Sequence, residues 1–232
     1  MHQKRLSAPK TYKIPRKVAK WVVKPSPGPH NKEAVPLLVI VRDFLELADT
    51  AREARRIIAA GEILVDGVVR KDYKFPVGLF DVISIPKIEK SYRMLFDEKG
   101  RYIPKEIEDS DLKLYKIVNK TLVRGAKIQL NLFDGTNLLA SNEYKTKDSI
   151  LVKIPDKEIV DHLKFEEGAL VMITGGTHAG EIGRLKSYKI VRSSAPNLVT
   201  VEGEDRDITT IEDYVFVVGK KDSDKPVIDL GV

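Results

Sequence analysis

The segment Thr50–Gly61, TAREARRIIAAG, admits few conformations. Thr50 followed by Glu53 is a capping box, in which the hydroxyl and the carboxylate answer free N–H groups at a helix start. Gly61 stands where a helix ends on a residue of positive φ. The spacing predicts a helix from there to about Ala60. At 3.6 residues per turn, Arg52, Arg55 and Arg56 share one side, and Ala51, Ala54, Ile57 and Ile58 the other. The apolar side needs a partner. Leu37, Leu38, Val41, Phe44, Leu45 and Ala48 recur at helical spacing and predict a preceding helix that supplies it. The three guanidiniums repel one another. They either form a solvated face, partly neutralised by Glu53, or take a bidentate anion such as phosphate.

Downstream, Ile63-Leu64-Val65 reads as a strand, Asp66-Gly67 as a type I′ turn, and Val68-Val69-Arg70 as the returning strand. Val82–Ile85 is a later strand. This order, and T-A-R-E-A-R-R-I-I-A-A-G-E-I-L-V-D-G in particular, resembles the S-four RNA-binding module. The resemblance implies that the second helix and the hairpin lie against RNA backbone. Two positions often basic in that family are Ala51 and Val68 here. The implied RNA surface therefore draws on Arg52, Arg55, Arg56, Arg70, Lys71 and Lys74.

Charge is loaded at one end. Residues 1–32 carry Lys4, Arg5, Lys10, Lys13, Arg16, Lys17, Lys20, Lys24 and Lys32 without an Asp or Glu. The remaining 31 Lys plus Arg face all 34 acids, so the whole excess of +6 sits in this arm. Such a distribution marks nucleic-acid binding, and no sustained apolar face supports a membrane role. Half of the twelve prolines lie in residues 1–36, which favours extended backbone over helix and predicts an arm that does not fold by itself. Tyr12 and Trp21 are placed to stack on bases or to pack in a crevice. K-R-L-x-A-P-K, I-P-R-K and K-W-V-V-K-P-S-P-G-P-H resemble the start of the archaeal and eukaryotic small-ribosomal-subunit protein family S-four-e.

Residues 116–154 read as short strands, among them the alternating Lys127–Phe133, and Ser91–Phe96 as an earlier one. Residues 156–164 are expected to form a short helix. ALVMITGGTHAGEIGRLKSYKI, with Gly175, Gly176, Gly180 and Gly183, resembles the KOW motif of ribosomal proteins and elongation factors. His178-Ala179 and Glu181 replace residues commonly basic there, so RNA contact falls to Arg184, Lys186, Lys189 and Arg192 on the following strand region. NLVTVE and YVFVV are further strands.

Nothing in the chain reads as a catalytic site. Glu181-Ile182 follows Gly180 where a phosphate loop needs Gly-Lys-Ser/Thr. His2, His30, His162 and His178 share no metal-ligand spacing, and His30, after Pro-Gly-Pro, is assigned to a turn or to RNA. No nucleophile elbow or dinucleotide fingerprint occurs. Absence of cysteine fits a reducing cytosol. No run reaches the ~18 apolar residues of a membrane span, and the first residues lack a secretory apolar core.

The expected fold class is α+β. It comprises a basic Pro-rich arm (1–36), an S-four-like α/β module (37–90), a central β-rich domain (91–164), a KOW-containing SH3-like β-barrel (165–220) and a tail (221–232). The resemblance implies a structural constituent of the small ribosomal subunit, cytoplasmic, with ribosomal RNA and neighbouring ribosomal proteins as partners. It implies no cofactor, metal, membrane or small-molecule substrate. The alternatives are a free RNA-binding transcription or translation factor and an RNA-modifying enzyme anchored by the S-four module.

Overall fold

The computed structural model describes residues 3–30, 34–97, 99–203, 206–221, 223 and 225–230. The chain divides into two compact units. The first takes the chain through Leu95, Arg101–Lys113 and Ile154–Asp156; the second takes Phe96–Gly100, Leu114–Lys153 and the chain from Lys157.

In the first unit, β1 (Gln3–Lys4) pairs with β2 (Trp21–Val22), and β3 (Val35–Pro36) with β6 (Pro76–Val77). Helix α1 (Leu37–Val39) runs into a π-helical turn, Ile40–Phe44, closed by Leu45 N–H donating to Ile40 O at 2.8 Å. The sequence predicts one amphipathic helix here. Instead Leu37, Leu38, Val39, Ile40 and Val41 are all fully buried. Five consecutive apolar residues with no polar face are enclosed on every side, and the widened turn is the geometry that ends the run.

Helix α2 (Ala51–Ala60) matches its expected bounds. Glu53 N–H donates to the Thr50 hydroxyl at 3.2 Å, and Gly61 closes the helix at φ 80°. Ala54 and Ile58 are buried while Arg52, Arg55 and Arg56 are exposed. Asp66 and Gly67 both have positive φ, at 52° and 73°, as a type I′ turn requires. They join β4 (Leu64–Val65) to β5 (Val68–Val69). With β7 (Val82–Ile85), β8 (Lys90–Phe96, whose last residue belongs to the second unit) and β9 (Tyr102–Ile107) these form a five-stranded sheet in the order β5-β4-β7-β8-β9.

The arm forms no unit of its own: it is folded onto this one. Tyr12 is buried and donates its hydroxyl to Ala34 O at 2.6 Å; burial pushes its pKa well above the ordinary phenol value. Arg5 Nε donates to Pro15 O at 2.5 Å, and Arg16 donates to Ala8 O and Pro9 O, each at 2.7 Å. The physical reason lies in the prolines. A Pro-rich segment has carbonyls but few N–H groups to pair them with, and a guanidinium supplies five donors.

The second unit holds two antiparallel sheets. The first contains β10 (Leu112–Val123, whose first two residues belong to the first unit), β11 (Lys127–Leu132), β12 (Asn137–Ala140), β13 (Ser149–Lys153) and β14 (Glu158–Leu163). Their order is β12-β11-β10-β13-β14, around a core of Tyr115, Ile117, Leu130, Leu132, Ile150 and Val152. Strand β14 corrects the helix expected over 156–164. Its residues pair with β13 from Ser149↔Leu163 to Lys153↔Glu158, and this cross-strand pairing overrides a local sequence of mixed preference. The last sheet orders β15 (Ala169–Ile173), β16 (Ile182–Lys189), β17 (Leu198–Glu202), β18 (Asp207–Ile211) and β19 (Val215–Lys221) as β18-β17-β16-β15-β19. The chain is mostly β, with few helices.

Candidate nucleic-acid interface

Cations and aromatic rings meet on the first unit. From α2, the Arg55 guanidinium lies 4.4 Å from the centroid of the Tyr73 ring, and Lys74 approaches the same ring at 5.5 Å. Arg70 lies 4.4 Å over Phe75. Stacking fixes a guanidinium's plane without neutralising its charge, so these groups stay available to an anion. Arg52, Arg56 and Lys71 are exposed beside them.

The arm contributes Lys4, Lys10, Lys13, Lys17, Lys20 and Lys24, all exposed. Lys20 Nζ sits 5.2 Å from the Trp21 ring, which is about half exposed. Of the remaining arm cations, Arg5 is buried, with Asp43 at 3.8 Å, and Arg16 is half-buried on its two carbonyls. Lys32 lies outside the described residues. A groove of about 890 Å³ opens between arm and module, lined by Trp21, Lys24, Arg42, Arg55, Tyr73 and Lys74 among others. A second hollow of about 420 Å³ gathers Lys10, Lys13, Arg16 and Arg101. Arg101 lies in a mixed polar stretch where nearby acids and lysines give no local signal, and only the fold brings it to the arm.

His30 was expected at a turn or at RNA. It adopts a turn conformation, φ 57°, but its ring is buried. Nε2 lies 2.8 Å from Asp81 Oδ1, and Asp81 also receives Lys113 Nζ at 2.5 Å and the Gly78 N–H at 2.8 Å. Lys113 Nζ reaches Asp66 Oδ2 at 2.6 Å, and Asp66 Oδ1 accepts the Val82 N–H at 3.0 Å. A Cβ on Gly78 would lie 2.2 Å from the His30 ring, so only glycine admits the imidazole. Burial raises the Asp81 pKa, but His30 and Lys113 outweigh it and hold the carboxyl below the usual carboxylate range. Asp66 moves the other way: burial and the neighbouring Asp81 charge push it up against the pull of Lys113. This network ties the arm's end and the hairpin turn to the start of β10. Sequence reasoning missed it because its members are 47 and 51 residues apart with no local signal.

In the second unit, Arg184 is half-buried on β16, and Lys186 is paired with Asp207 at 2.6 Å. His178 and Glu181 of the glycine-rich turn pair with each other at 2.8 Å. Lys116 is buried, with its ammonium donating to Glu212 O, Asp213 O and Val215 O, and burial lowers its pKa to about 8. Among the described residues, no cluster of three or more His, Asp or Glu side chains is arranged to hold a metal ion.

Three segments match known families: residues 1–33 the RS4NT domain, residues 35–83 the S4 domain, and residues 88–159 Ribosomal family S4e. The small ribosomal subunit protein eS4 of Archaeoglobus fulgidus is 90% identical over 232 residues, covering 100% of this chain and 99% of that protein. The corresponding protein of Methanocella arvoryzae is 50% identical over 228 residues, covering 98% and 96%. The crystal structure of the 30S ribosomal protein S4e from Thermoplasma acidophilum superposes with a TM-score of 0.69 at 34% identity, covering 81% of this chain and 96% of that one. The S4 match falls on α2 and its hairpin, the RS4NT match on the lysine-bearing arm, and identity runs the full length: the chain belongs to ribosomal family S4e.

Proposed function

We infer that the protein is a structural, non-enzymatic constituent of the small ribosomal subunit, in the cytoplasm, and that it binds ribosomal RNA and stabilises its fold. The observation that carries this reading is the convergence of exposed arm lysines with the α2 arginines on the module that matches the S4 domain. Cations spread along an arm and a helix face neutralise phosphate and fix position without reading bases. The six exposed arm lysines alone imply a fall of log K against log salt with a slope of about −4 to −5. The phosphate-binding set is Lys4, Lys10, Lys13, Lys17, Lys20, Lys24, Arg52, Arg55, Arg56, Arg70, Lys71 and Lys74, with Trp21 beside them. Arg5, Arg16 and His30 act by shaping the arm. Arg184 and Lys186 are secondary, since Lys186 already has an acidic partner.

The division into arm, S-four-like module, central β domain, KOW-containing SH3-like barrel and tail, at the boundaries given above, is part of the same proposal. The five-stranded order β18-β17-β16-β15-β19 and the glycine-rich β15–β16 connection support its C-terminal part. Neighbouring ribosomal proteins are the other partners.

Sucrose-gradient sedimentation of a native lysate at moderate salt tests the reading. Co-migration with the small subunit through a salt wash is expected. Recovery only at the top of the gradient would overturn it and favour a free RNA-binding factor.

A further inference from the structure

The groove between arm and module differs from the rest of the basic surface. Phosphate neutralisation needs only charge, and the exposed lysines provide it without any concavity. Here a concavity of about 890 Å³ is lined by Trp21 of the arm and Tyr73 of the module, together with Lys24, Arg55 and Lys74. That volume lies within the ~300–1,000 Å³ range of pockets that enclose small organic ligands. The arm wall is fixed in place. Tyr12, itself part of the lining, is tied by its hydroxyl to Ala34 O, and the β1–β2 pairing sets Trp21 opposite Lys4. The other wall is fixed as well, because Arg55 and Lys74 both approach the Tyr73 ring.

The geometry points to a binding pocket for an unstacked nucleotide of single-stranded RNA, its base stacked on the Trp21 indole and its phosphates held by Lys24, Arg55 and Lys74. This assignment rests on the RNA-binding reading and adds a ligand to it. Base-paired RNA cannot fill such a groove, since its bases are stacked inside the helix and only its backbone and groove edges are presented. An unpaired residue from a loop or bulge can, because every base offers a π-face to an aromatic wall. An acidic peptide could satisfy the cations but brings no planar group to stack on the Trp21 indole.

The test uses the full chain and labelled RNA at fixed salt. Anisotropy is read with a short single-stranded uridine oligonucleotide and with a loop-free, blunt-ended RNA duplex of equal phosphate number, alongside filter binding to small-subunit ribosomal RNA. Trp21 is the only tryptophan, so its fluorescence reports occupancy directly. The single strand should quench Trp21 and bind more tightly than the duplex. Trp21→Leu should weaken the single strand about 5- to 150-fold, the range of one lost base–aromatic stack. The same variant should weaken duplex binding far less, and Trp21→Phe should restore most of the loss. Equal binding of both RNAs, an unquenched Trp21, or a Trp21→Leu variant with unchanged single-strand affinity would overturn the pocket while ribosomal RNA binding persists. Tighter binding of an acidic peptide that displaces the oligonucleotide would assign the groove to a protein instead. Loss of all ribosomal RNA binding in the unmodified chain would overturn the parent reading too.

Discussion

Removing one carboxylate from the His30–Asp81–Lys113–Asp66 network should depend sharply on which carboxylate is removed. At the observed separations of 2.5 and 2.6 Å, each Lys113–carboxylate attraction is roughly 6 kcal/mol at an effective dielectric of about 20. Desolvating each ion costs several kcal/mol, so the intact network is close to neutral, and the large penalty comes from stranding a member. Asp81→Asn takes the shared acceptor from both His30 and Lys113 and should destabilise the first unit by about 3–5 kcal/mol. Asp66→Asn removes a charge-assisted bond but also relieves the repulsion on Asp81, so about 1–3 kcal/mol is expected.

The pH dependence separates the two variants further. Asp81 has a depressed folded pKa, so its contribution is present above the unfolded value of about 4 and lost as pH falls through the folded value. The gap between wild type and Asp81→Asn should therefore close in acid. Asp66 has a raised folded pKa, so its contribution is present below the unfolded value and lost as pH rises through the folded one. The gap between wild type and Asp66→Asn should narrow as pH rises. Urea unfolding followed by Trp21 fluorescence reads the first unit alone, since the only tryptophan lies there. An Asp81→Asn variant no weaker than Asp66→Asn at neutral pH, or pH trends of the same sign, would refute the assignment.

Other predictions are simpler. Changing Arg52, Arg55 and Arg56 together to Gln should flatten the salt slope of ribosomal RNA binding by about 2–3, with an unaltered circular dichroism spectrum. Gly78→Ala should drive the His30 ring from its place, costing about 1–3 kcal/mol as overpacking; a variant with wild-type stability would show that the imidazole can move freely. The Lys116 pKa is about 8 in the folded chain and about 10.4 unfolded, so wild-type stability should gain between those pH values as the folded state releases its proton first. Lys116→Met should lack that gain in parallel unfolding series.

What the sequence made legible was local. The Thr50 cap, Gly61 and the Asp66-Gly67 turn each act within a few residues, and the structure carries all three. The α2 arginines were equally legible, because helical spacing alone sorts them from Ala54 and Ile58. The arm was not. Its composition reads as unstructured, and its fold depends on guanidinium bonds to carbonyls seven to ten residues away. Strand β14 was hidden for a related reason: its partner β13 decides its state. The groove joins residues of the arm to Arg55 and Tyr73, so no window of sequence contains it.

Lysine-reactivity mapping by mass spectrometry, on the free chain and on the chain in small subunits, addresses the interface most directly. Lys10, Lys13, Lys20, Lys24 and Lys74 should lose most of their reactivity in the subunit, while exposed Lys157 and Lys164 of the second unit should keep theirs. Undiminished reactivity along the arm, with protection confined to the second unit, would contradict that interface.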